Sequence, residues 1–273
     1  MSESIHPYLI EPKELYPQLG HGQLLLIDLC KPEIFNQAHI ANAIHLDYSQ
    51  IVLAQKPVMG MLPSATHLGQ QFSKLGIKPD SWVVAYDDEG GGRAARLLWT
   101  LLAAGHQHVS LLNGGIHAWV QDQLPLTQAI LGVTATQYDV DLSQANRVSI
   151  NTDELMRSYH SLALVDTRTA EEFSGEKKLA QRGGHIPGAV NVNWLDTMDK
   201  ERGLRLLPDP DLENMYQNKG ITQDKDVAVY CHSHHRSAHT FILLKHLGYE
   251  RVRGYPGSWS EWGNRSDTPV EPG

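Results

Sequence analysis

The sequence of this chain of 273 residues contains an internal repeat, with a period of about 140 residues. Leu-Leu-Leu-Ile-Asp at 24–28 is matched by Leu-Ala-Leu-Val-Asp at 162–166, and a phenylalanine follows each aspartate by seven residues. Further matching positions occur in the same order at nearly constant spacing: His39 and His185, Tyr86 and Tyr230, Gly105 and Gly248, Gly114 and Gly257, Trp119 and Trp262. A repeat of this length is a whole domain, because solenoid units are shorter. The chain is therefore predicted to be a duplicated domain.

The boundary between the two copies is predicted at residues 126–147. This segment includes Thr-Ala-Thr-Gln-Tyr-Asp-Val-Asp-Leu-Ser-Gln, which has no sustained apolar period and indicates an extended linker. The first domain is accordingly assigned to residues 1–125 and the second to residues 148–273. A chain of this length also favours two domains, at roughly 150 residues per domain.

Each copy alternates short apolar runs with helical patterns. Leu24–Ile27 and Ala163–Val165 are predicted to be buried strands, and helices are predicted at 94–104, 154–159, 211–218 and 238–247. Short apolar strands between helices are typical of an α/β fold, in which a mostly parallel sheet is flanked by helices. Ligands of such sheets bind beyond the carboxyl ends of the strands. Any chemistry is therefore expected directly after Tyr86 or Tyr230.

Composition and charge exclude several classes of protein. The formal net charge of −8 argues against a nucleic-acid binder or a protein that binds anionic membranes. No apolar run reaches the ~18 residues that span a bilayer, and the polar N-terminus is unlike a secretory signal. The two cysteines, Cys30 and Cys231, form no disulfide framework, which fits a reducing compartment. We expect a cytoplasmic protein that works as a monomer. Because neither a dinucleotide-binding nor a P-loop motif is present, no organic cofactor is expected.

A candidate nucleophile stands after the predicted strand that ends at Tyr230. The sequence there is Cys231-His232-Ser233-His234-His235-Arg236-Ser237, and a helix follows. A strand–loop–helix turn aims backbone N–H groups and the positive end of the helix at one point. A cysteine at a helix N-terminus or beside a cation has a lowered pKa, so it is held as the thiolate. Cys231 is predicted to be catalytic, with Arg236 supplying positive charge.

The corresponding loop of the first copy lacks this chemistry. It is Asp87-Asp88-Glu89-Gly90-Gly91-Gly92-Arg93, and Asp87 aligns with Cys231. Carboxylates are poor sulfur acceptors, and three acidic residues repel an anionic substrate. The first domain is therefore predicted to keep the fold without the activity.

Three motifs together resemble the rhodanese family of sulfurtransferases. They are the Asp-x-Arg-x3-Glu-Phe run at 166–173, Gly-His-Ile-Pro-Gly-Ala at 184–189, and the cysteine loop, whose Cys-x-x-His-His-Arg-Ser form resembles a bacterial tandem variant. The resemblance extends from about Leu9 to Pro269. Cell-cycle phosphatases share this fold, but their Cys-x5-Arg loop is longer by one residue than the Cys-x4-Arg of this chain. The shorter loop favours a sulfur atom on the cysteine over a phosphoryl group.

The resemblance implies transfer of a sulfane sulfur through a persulfide on Cys231. Thiosulfate is the expected donor, and cyanide or another thiophilic acceptor such as a thiol is the expected acceptor. Arg182, Trp194 and Arg236 are the expected substrate-binding residues, with Lys178 as a substitute for Arg182. Preference for 3-mercaptopyruvate is an alternative, although members with that preference usually have a small neutral loop. A second alternative is a relay module that passes the persulfide to a protein thiol.

Other residues that suggest chemistry are predicted to be structural. The histidines of the cysteine loop suggest a zinc site, but consecutive residues of one tight loop cannot all converge on one ion, and no second Cys/His pair is evident. They are expected to form a polar lining with some charge near neutral pH. Several residues recur in both copies or lack a cation nearby, and structural roles are therefore predicted for Cys30, Asp28, Asp166, His39, His185, Trp119 and Trp262.

Overall fold

The computed structural model describes residues 6–272, which form two compact units. The first unit contains the chain up to Ile51, Pro63–Ala145 and Met198–Leu206. The second contains Val52–Leu62, Asn146–Thr197 and the chain from Leu207 onward. Each unit has its own parallel sheet and apolar core.

The regular elements follow the alternation that the sequence predicts. The strands are β1 (Leu9–Ile10), β2 (Leu24–Asp28), β3 (His39–Ile40), β4 (Ala43–His45), β5 (Leu53–Gln55), β6 (Val58–Met61), β7 (Trp82–Tyr86), β8 (Val109–Leu112), β9 (Leu126–Thr127), β10 (Ala163–Asp166), β11 (Val190–Asn191), β12 (Met198–Asp199), β13 (Arg205–Leu206), β14 (Val227–Tyr230) and β15 (Val252–Gly254). The helices are α1 (Pro12–Leu15), α2 (Pro32–Gln37), α3 (Ala65–Lys74), α4 (Gly92–Ala103), α5 (Gly115–Gln121), α6 (Thr152–Ser158), α7 (Ala170–Ser174), α8 (Asp209–Gln217), α9 (Arg236–His246) and α10 (Ser258–Trp262). Short 3₁₀ turns occupy Tyr16–Gln18, Tyr48–Ile51, Ala145–Arg147, Tyr159–Ser161 and Trp194–Thr197.

The sheet of the first unit has the strand order β1-β8-β7-β2-β4, with all neighbours parallel. The register places Asp28 opposite Tyr86, so β2 and β7 end at the same edge. β7 is buried along its whole length because helices cover both faces of such a sheet. The loop that leads into α4 leaves the sheet at this edge.

The sheet of the second unit has the order β11-β10-β14-β15, again parallel throughout. Asp166 lies opposite Tyr230, as Asp28 lies opposite Tyr86 in the first unit. The repeat extends to a side-chain contact, since the hydroxyl of Tyr230 accepts from the N–H of Ile186 at 3.1 Å and that of Tyr86 accepts from the N–H of Ile40 at 3.2 Å. The predicted buried strands and the predicted fold class are confirmed.

Two hairpins belong to the unit of the opposite sequence copy. The hairpin of β5 and β6 is part of the second unit, where the N–H of Met59 donates to the hydroxyl of Ser260 at 3.0 Å. The hairpin of β12 and β13 is part of the first unit, where Arg205 forms an ion pair of 2.7 Å with Asp122. The sequence prediction of one boundary at 126–147 did not include this exchange, because the repeat does not indicate what a hairpin packs against. Residues 128–142 form neither helix nor strand.

The repeated landmarks of the sequence are structural. Each repeated histidine stacks on a phenylalanine, with ring centroids 4.0 Å apart for Phe35 and His39 and 3.6 Å apart for Phe173 and His185. Trp119 and Trp262 are fully buried in the two cores. Gly248 ends α9 with a φ of +82°, a conformation that glycine adopts without strain. Within residues 6–272, none of the helices combines the length and the apolar character that a membrane span requires.

Candidate active site

The loop 231–235 joins the carboxyl end of β14 to the first residue of α9. Its carbonyl groups are used by α10, because the carbonyl of Cys231 accepts from the N–H of Trp259 and that of His232 accepts from the N–H of Ser260, both at 2.9 Å. The loop thus presents backbone N–H groups to its interior, and those of Ser233 and Ser237 donate to the Cys231 sulfur. Such a ring of donors stabilises an anion.

Cys231 is fully buried at the base of this loop. Burial raises the pKa of its thiol, but the charge of Arg236, the hydroxyl of Ser237 and the N–H groups of Ser233 and Ser237 outweigh burial and bring the pKa down to about 7. A large fraction of the thiol is therefore ionised at neutral pH without a dedicated base. The thiolate is the form of cysteine that acts as a nucleophile.

The guanidinium of Arg236 is held by Glu172. Nη1 and Nη2 of Arg236 donate to the two carboxylate oxygens at 2.6 and 2.9 Å, and the Glu172 side chain is only 2% exposed. Burial raises the pKa of Glu172, yet the hydrogen bonds and the charge of Arg236 lower it to about 2. Glu172 also belongs to a capping box with Thr169 at the start of α7, so Arg236 is tied to a helix that is itself fixed.

The hydroxyl of Ser258 contributes to the site, and sequence reasoning missed it. It accepts hydrogen bonds from the N–H of Cys231 at 3.3 Å and of His234 at 3.1 Å, and it donates to the carbonyl of Tyr255. Ser258 has a φ of +50° and His234 a φ of +52°, values that favour glycine. The first copy has glycine at both aligned positions, Gly115 for Ser258 and Gly90 for His234. An alignment of the two copies therefore could have indicated the unusual backbone conformation.

The hairpin of β5 and β6 packs directly on the cysteine loop. A Cβ atom at Gly60 would lie 2.2 Å from the carbonyl oxygen of Ser233 and 2.5 Å from that of Pro256. No other residue fits there, because real Cβ atoms do not approach backbone so closely. Sequence reasoning missed Gly60, since it lies in the copy that was predicted to be inactive.

The remaining predicted loop residues surround the cysteine. The Nδ1 atom of His234 lies 2.8 Å from the Ser237 hydroxyl, and the ring of His235 lies 5.9 Å from that of Trp194. Trp194 is 8% exposed and packs beside the loop from the turn that follows β11. Burial and the charge of Arg236 lower the pKa of His232, so this ring does not supply the charge near neutral pH that the sequence led us to expect.

Arg182 and Lys178 lie in the segment between α7 and β11. The guanidinium of Arg182 donates to the carbonyl of Trp262 at 2.7 Å, to the carbonyl of Thr268 at 2.6 Å and to the Thr268 hydroxyl. These bonds anchor the chain after α10. Lys178 is exposed and lines the same surface depression as His232. Substrate contacts of either residue stay predictions.

Comparison with known proteins identifies the family. A family model described as a rhodanese-like domain matches residues 11–122 and again residues 151–265. The chain belongs to the rhodanese family. Both matched segments lie within the two copies that the internal repeat defines, so this is a tandem rhodanese.

The curated relatives of this rhodanese are sulfur-handling proteins. It is 40% identical over 265 residues to a thiosulfate sulfurtransferase of Pseudomonas aeruginosa, covering 97% of each chain, and 40% identical over 267 residues to one of Azotobacter vinelandii, again covering 97% of each. A sulfur carrier protein, TtuD of Thermus thermophilus, is 32% identical over 254 residues, which cover 88% of this chain and 87% of the relative. The solved structure of SseA from Escherichia coli, described for 3-mercaptopyruvate sulfotransferases, has a TM-score of 0.80 at 23% identity. The match covers 93% of this chain and 99% of SseA, and it indicates the fold alone.

The loop of the first rhodanese domain is filled by its own aspartate. The carboxylate of Asp87 accepts the N–H groups of Glu89, Gly91, Arg93 and Ala94 at 2.8–3.0 Å. Glu89 and Arg93 align with Ser233 and Ser237, whose N–H groups donate to the Cys231 sulfur. The same backbone donors therefore hold a carboxylate in one domain and a thiolate in the other.

The second cysteine has an opposite environment. Cys30 is buried beside Asp28, whose carboxylate accepts the Cys30 N–H at 2.6 Å. Burial and the nearby charge of Asp28 raise the pKa of the Cys30 thiol, so it stays protonated. The predicted structural roles of Asp28 and Asp166 are confirmed, since Asp166 forms a buried ion pair of 2.6 Å with Arg168.

Among residues 6–272, no group of three or more His, Cys, Asp or Glu side chains is placed to bind a metal ion. The side chains of the loop histidines diverge, since His234 contacts Ser237 and His235 lies by Trp194. The loop is arranged around one sulfur atom.

Proposed function

We propose that this rhodanese is a thiosulfate sulfurtransferase that carries the transferred sulfur as a persulfide on Cys231. The observation that carries the proposal is a fully buried thiol whose pKa is lowered to about 7 inside a ring of hydrogen-bond donors. The names of the Pseudomonas and Azotobacter relatives support thiosulfate as the donor.

In the first half-reaction, the Cys231 thiolate attacks the outer sulfur of thiosulfate. A bond forms between Sγ and that sulfur, the S–S bond of thiosulfate breaks, and sulfite leaves with the bonding electron pair. The product is Cys231–S–S⁻, so one negative charge stays in the loop. The N–H groups of Ser233 and Ser237 and the charge of Arg236 stabilise it, as an oxyanion hole stabilises oxygen.

In the second half-reaction, cyanide or a thiolate attacks the terminal sulfur. The Sγ–S bond breaks, and Cys231 leaves as the thiolate with which the cycle began. Cyanide becomes thiocyanate, and a thiol becomes a persulfide. A leaving group of lowered pKa departs faster, so the features that activate Cys231 as a nucleophile also favour its release.

The first domain supports the view that this loop is built for an anion. Asp87 places two carboxylate oxygens where four N–H groups converge. Because Asp87 aligns with Cys231, the same backbone donors would be available to the terminal sulfur of a persulfide.

We assign the substrate-binding residues as follows. Arg236 supplies the positive charge, Trp194 forms an apolar wall beside His235, and the remaining loop residues His232, Ser233, His234 and Ser237 shape the cavity. Arg182 anchors the chain at Trp262 and Thr268 through three of its five N–H donors. Its contact with the donor, with Lys178 as the substitute, stays a prediction.

Intact mass after brief incubation with thiosulfate, and again after cyanide, tests the proposal. We expect the mass to rise by one sulfur atom with thiosulfate and to return to its starting value with cyanide. The gain should be absent in Cys231→Ala and present in the control Cys30→Ala. If the gain were lost in Cys30→Ala alone, the assignment of the persulfide to Cys231 would be refuted. Loading by 3-mercaptopyruvate but not by thiosulfate would replace the donor. We further propose a reducing compartment such as the cytoplasm, since both cysteines are free thiols. The expectation of a monomer rests on the self-contained two-domain chain.

A further inference from the structure

We infer that an open groove beside the cysteine loop binds an acidic segment of a thiol-bearing acceptor protein. The groove, here called the acceptor groove, is lined by Lys56, Met59, Lys178, Gln181, His232 and Asn264 among others. The inference rests on the proposed function, because it names the acceptor of the same persulfide.

The acceptor groove adjoins the cysteine loop. His232 follows Cys231 in the chain and is the residue of the cysteine loop that lines the groove. The opposite wall is the hairpin of β5 and β6, which Gly60 holds in direct backbone contact with Ser233. A ligand in the groove therefore contacts the catalytic loop itself.

The charge of the acceptor groove favours an anionic ligand. Lys56 and Lys178 are both exposed at it, and no aspartate or glutamate is among its lining residues. The chain as a whole has a net charge of −8, so a wall with cations alone differs from the average surface. Paired cations of this kind steer acidic partners and suppress basic ones.

The dimensions of the acceptor groove favour a polypeptide over a small anion. It is a shallow depression of about 740 Å³ that is widely open to solvent, whereas thiosulfate has only five heavy atoms. Met59 and Leu179 add apolar surface, and the amide of Gln181 is exposed. Apolar contact, amides and cations together suit an extended acidic segment. The relationship to a sulfur carrier protein agrees with transfer between proteins.

The transfer itself is a balanced exchange. The acceptor cysteine attacks as a thiolate, its sulfur bonds to the terminal sulfur of Cys231–S–S⁻, and the Sγ–S bond breaks. Cys231 regains its thiolate and the acceptor carries the persulfide, with the thiol proton released to solvent. No external oxidant or reductant is needed.

The test uses full-length protein loaded with thiosulfate, freed of excess donor and mixed with short synthetic peptides. Each peptide has one cysteine, flanked by glutamates, by glutamines or by lysines. We expect transfer to the glutamate peptide to be faster than to the glutamine peptide by about five- to tenfold at low salt, with the lysine peptide slowest. The double variant Lys56→Glu/Lys178→Glu should abolish this order. The matched control Lys31→Glu/Lys219→Glu, with the same change of net charge at exposed lysines outside the groove, should retain it.

Other outcomes would overturn the inference. Equal rates for the three peptides, or an order that survives Lys56→Glu/Lys178→Glu, would remove the groove as the acceptor site. Slower loading by thiosulfate in that variant, with unchanged transfer, would assign the groove to the donor. Failure of wild-type protein to load any sulfur would refute the proposed function separately. Fluorescence anisotropy with the glutamate peptide, its cysteine replaced by serine, would still measure binding to the groove. Absence of binding would refute the inference.

Discussion

Both carboxylate oxygens of Glu172 accept hydrogen bonds from Arg236, at 2.6 and 2.9 Å, and this pair fixes the cation that activates Cys231. We expect Glu172→Gln to lower the rate of sulfur loading by about three- to tenfold, because an amide has one acceptor and turns an NH2 group toward the guanidinium. The free energy of unfolding should fall by about 2 kcal/mol, since a largely buried pair loses one charge. Loading kinetics and denaturant unfolding measure the two effects. Unchanged values of both would show that Arg236 needs no support.

The same pair predicts how stability depends on pH. The pKa of Glu172 is about 2 in the folded protein, against an ordinary value of 4.5. A lowered folded pKa stabilises the protein above the unfolded pKa, and this contribution disappears as the pH falls from about 4.5 toward 2. Wild-type protein should therefore lose about 2 kcal/mol more than Glu172→Gln across this window. If the free energy of unfolding fell equally with pH in the two proteins, the lowered pKa of Glu172 would be contradicted.

The pH dependence of sulfur loading should follow the ionisation of Cys231. Its pKa of about 7 predicts a rate that rises with pH and levels off above neutrality, because only the thiolate attacks. Ser237→Ala removes the hydroxyl that donates to the sulfur, so the midpoint should rise by about one pH unit. The control Ser161→Ala changes an exposed serine and should leave the midpoint unchanged. A midpoint that Ser237→Ala does not move would mean that the hydroxyl does not stabilise the thiolate.

The fold and the nucleophile were predictable from the sequence because both depend on local patterns. The apolar runs that end at Asp28 and Asp166 recur with their helices, and Cys231 follows a strand and precedes a helix. The equivalence of Asp87 and Cys231 followed from the alignment of the two copies alone. Each of these features depends on residues that are close to one another in the sequence.

The supports of the site depend on contacts between distant residues. Gly60 lies far from Ser233 in the chain, and its hairpin belongs to the second unit although its sequence belongs to the first copy. Ser258 acts through a backbone conformation that serine rarely adopts. Arg182 is a further case, because its guanidinium donates to the carbonyls of Thr268 and Trp262, which lie 86 and 80 residues further along the chain.

Gly60 offers a test of the contact between the hairpin and the cysteine loop. In Gly60→Ala the added methyl group meets two backbone carbonyls, which cannot yield as a side chain would. We expect sulfur loading to fall more than about tenfold and stability to fall by about 1–3 kcal/mol, the usual cost of overpacking. The control Gly132→Ala, where nothing lies within 4 Å, should change neither. Full activity of Gly60→Ala would show that the loop tolerates displacement.

Asp87 permits a test of the anion-binding loop without touching the active cysteine. Asp87→Asn keeps the size of the side chain but replaces one of its accepting oxygens by an NH2 group, which faces N–H donors. Since Arg93 and Ala94 donate to one oxygen and Glu89 and Gly91 to the other, one pair loses its acceptor in either orientation.

We expect the first domain to lose about 1–3 kcal/mol of stability in Asp87→Asn, because buried donors are left unsatisfied. Sulfur loading should remain at one atom per chain, since Cys231 lies in the other loop. Denaturant unfolding combined with intact mass measures both quantities on one sample. Unchanged stability would mean that the four hydrogen bonds contribute little, and the argument that this loop selects an anion would then rest on Cys231 alone. A loss of sulfur loading in protein that remains folded would instead give the first domain a part in the reaction.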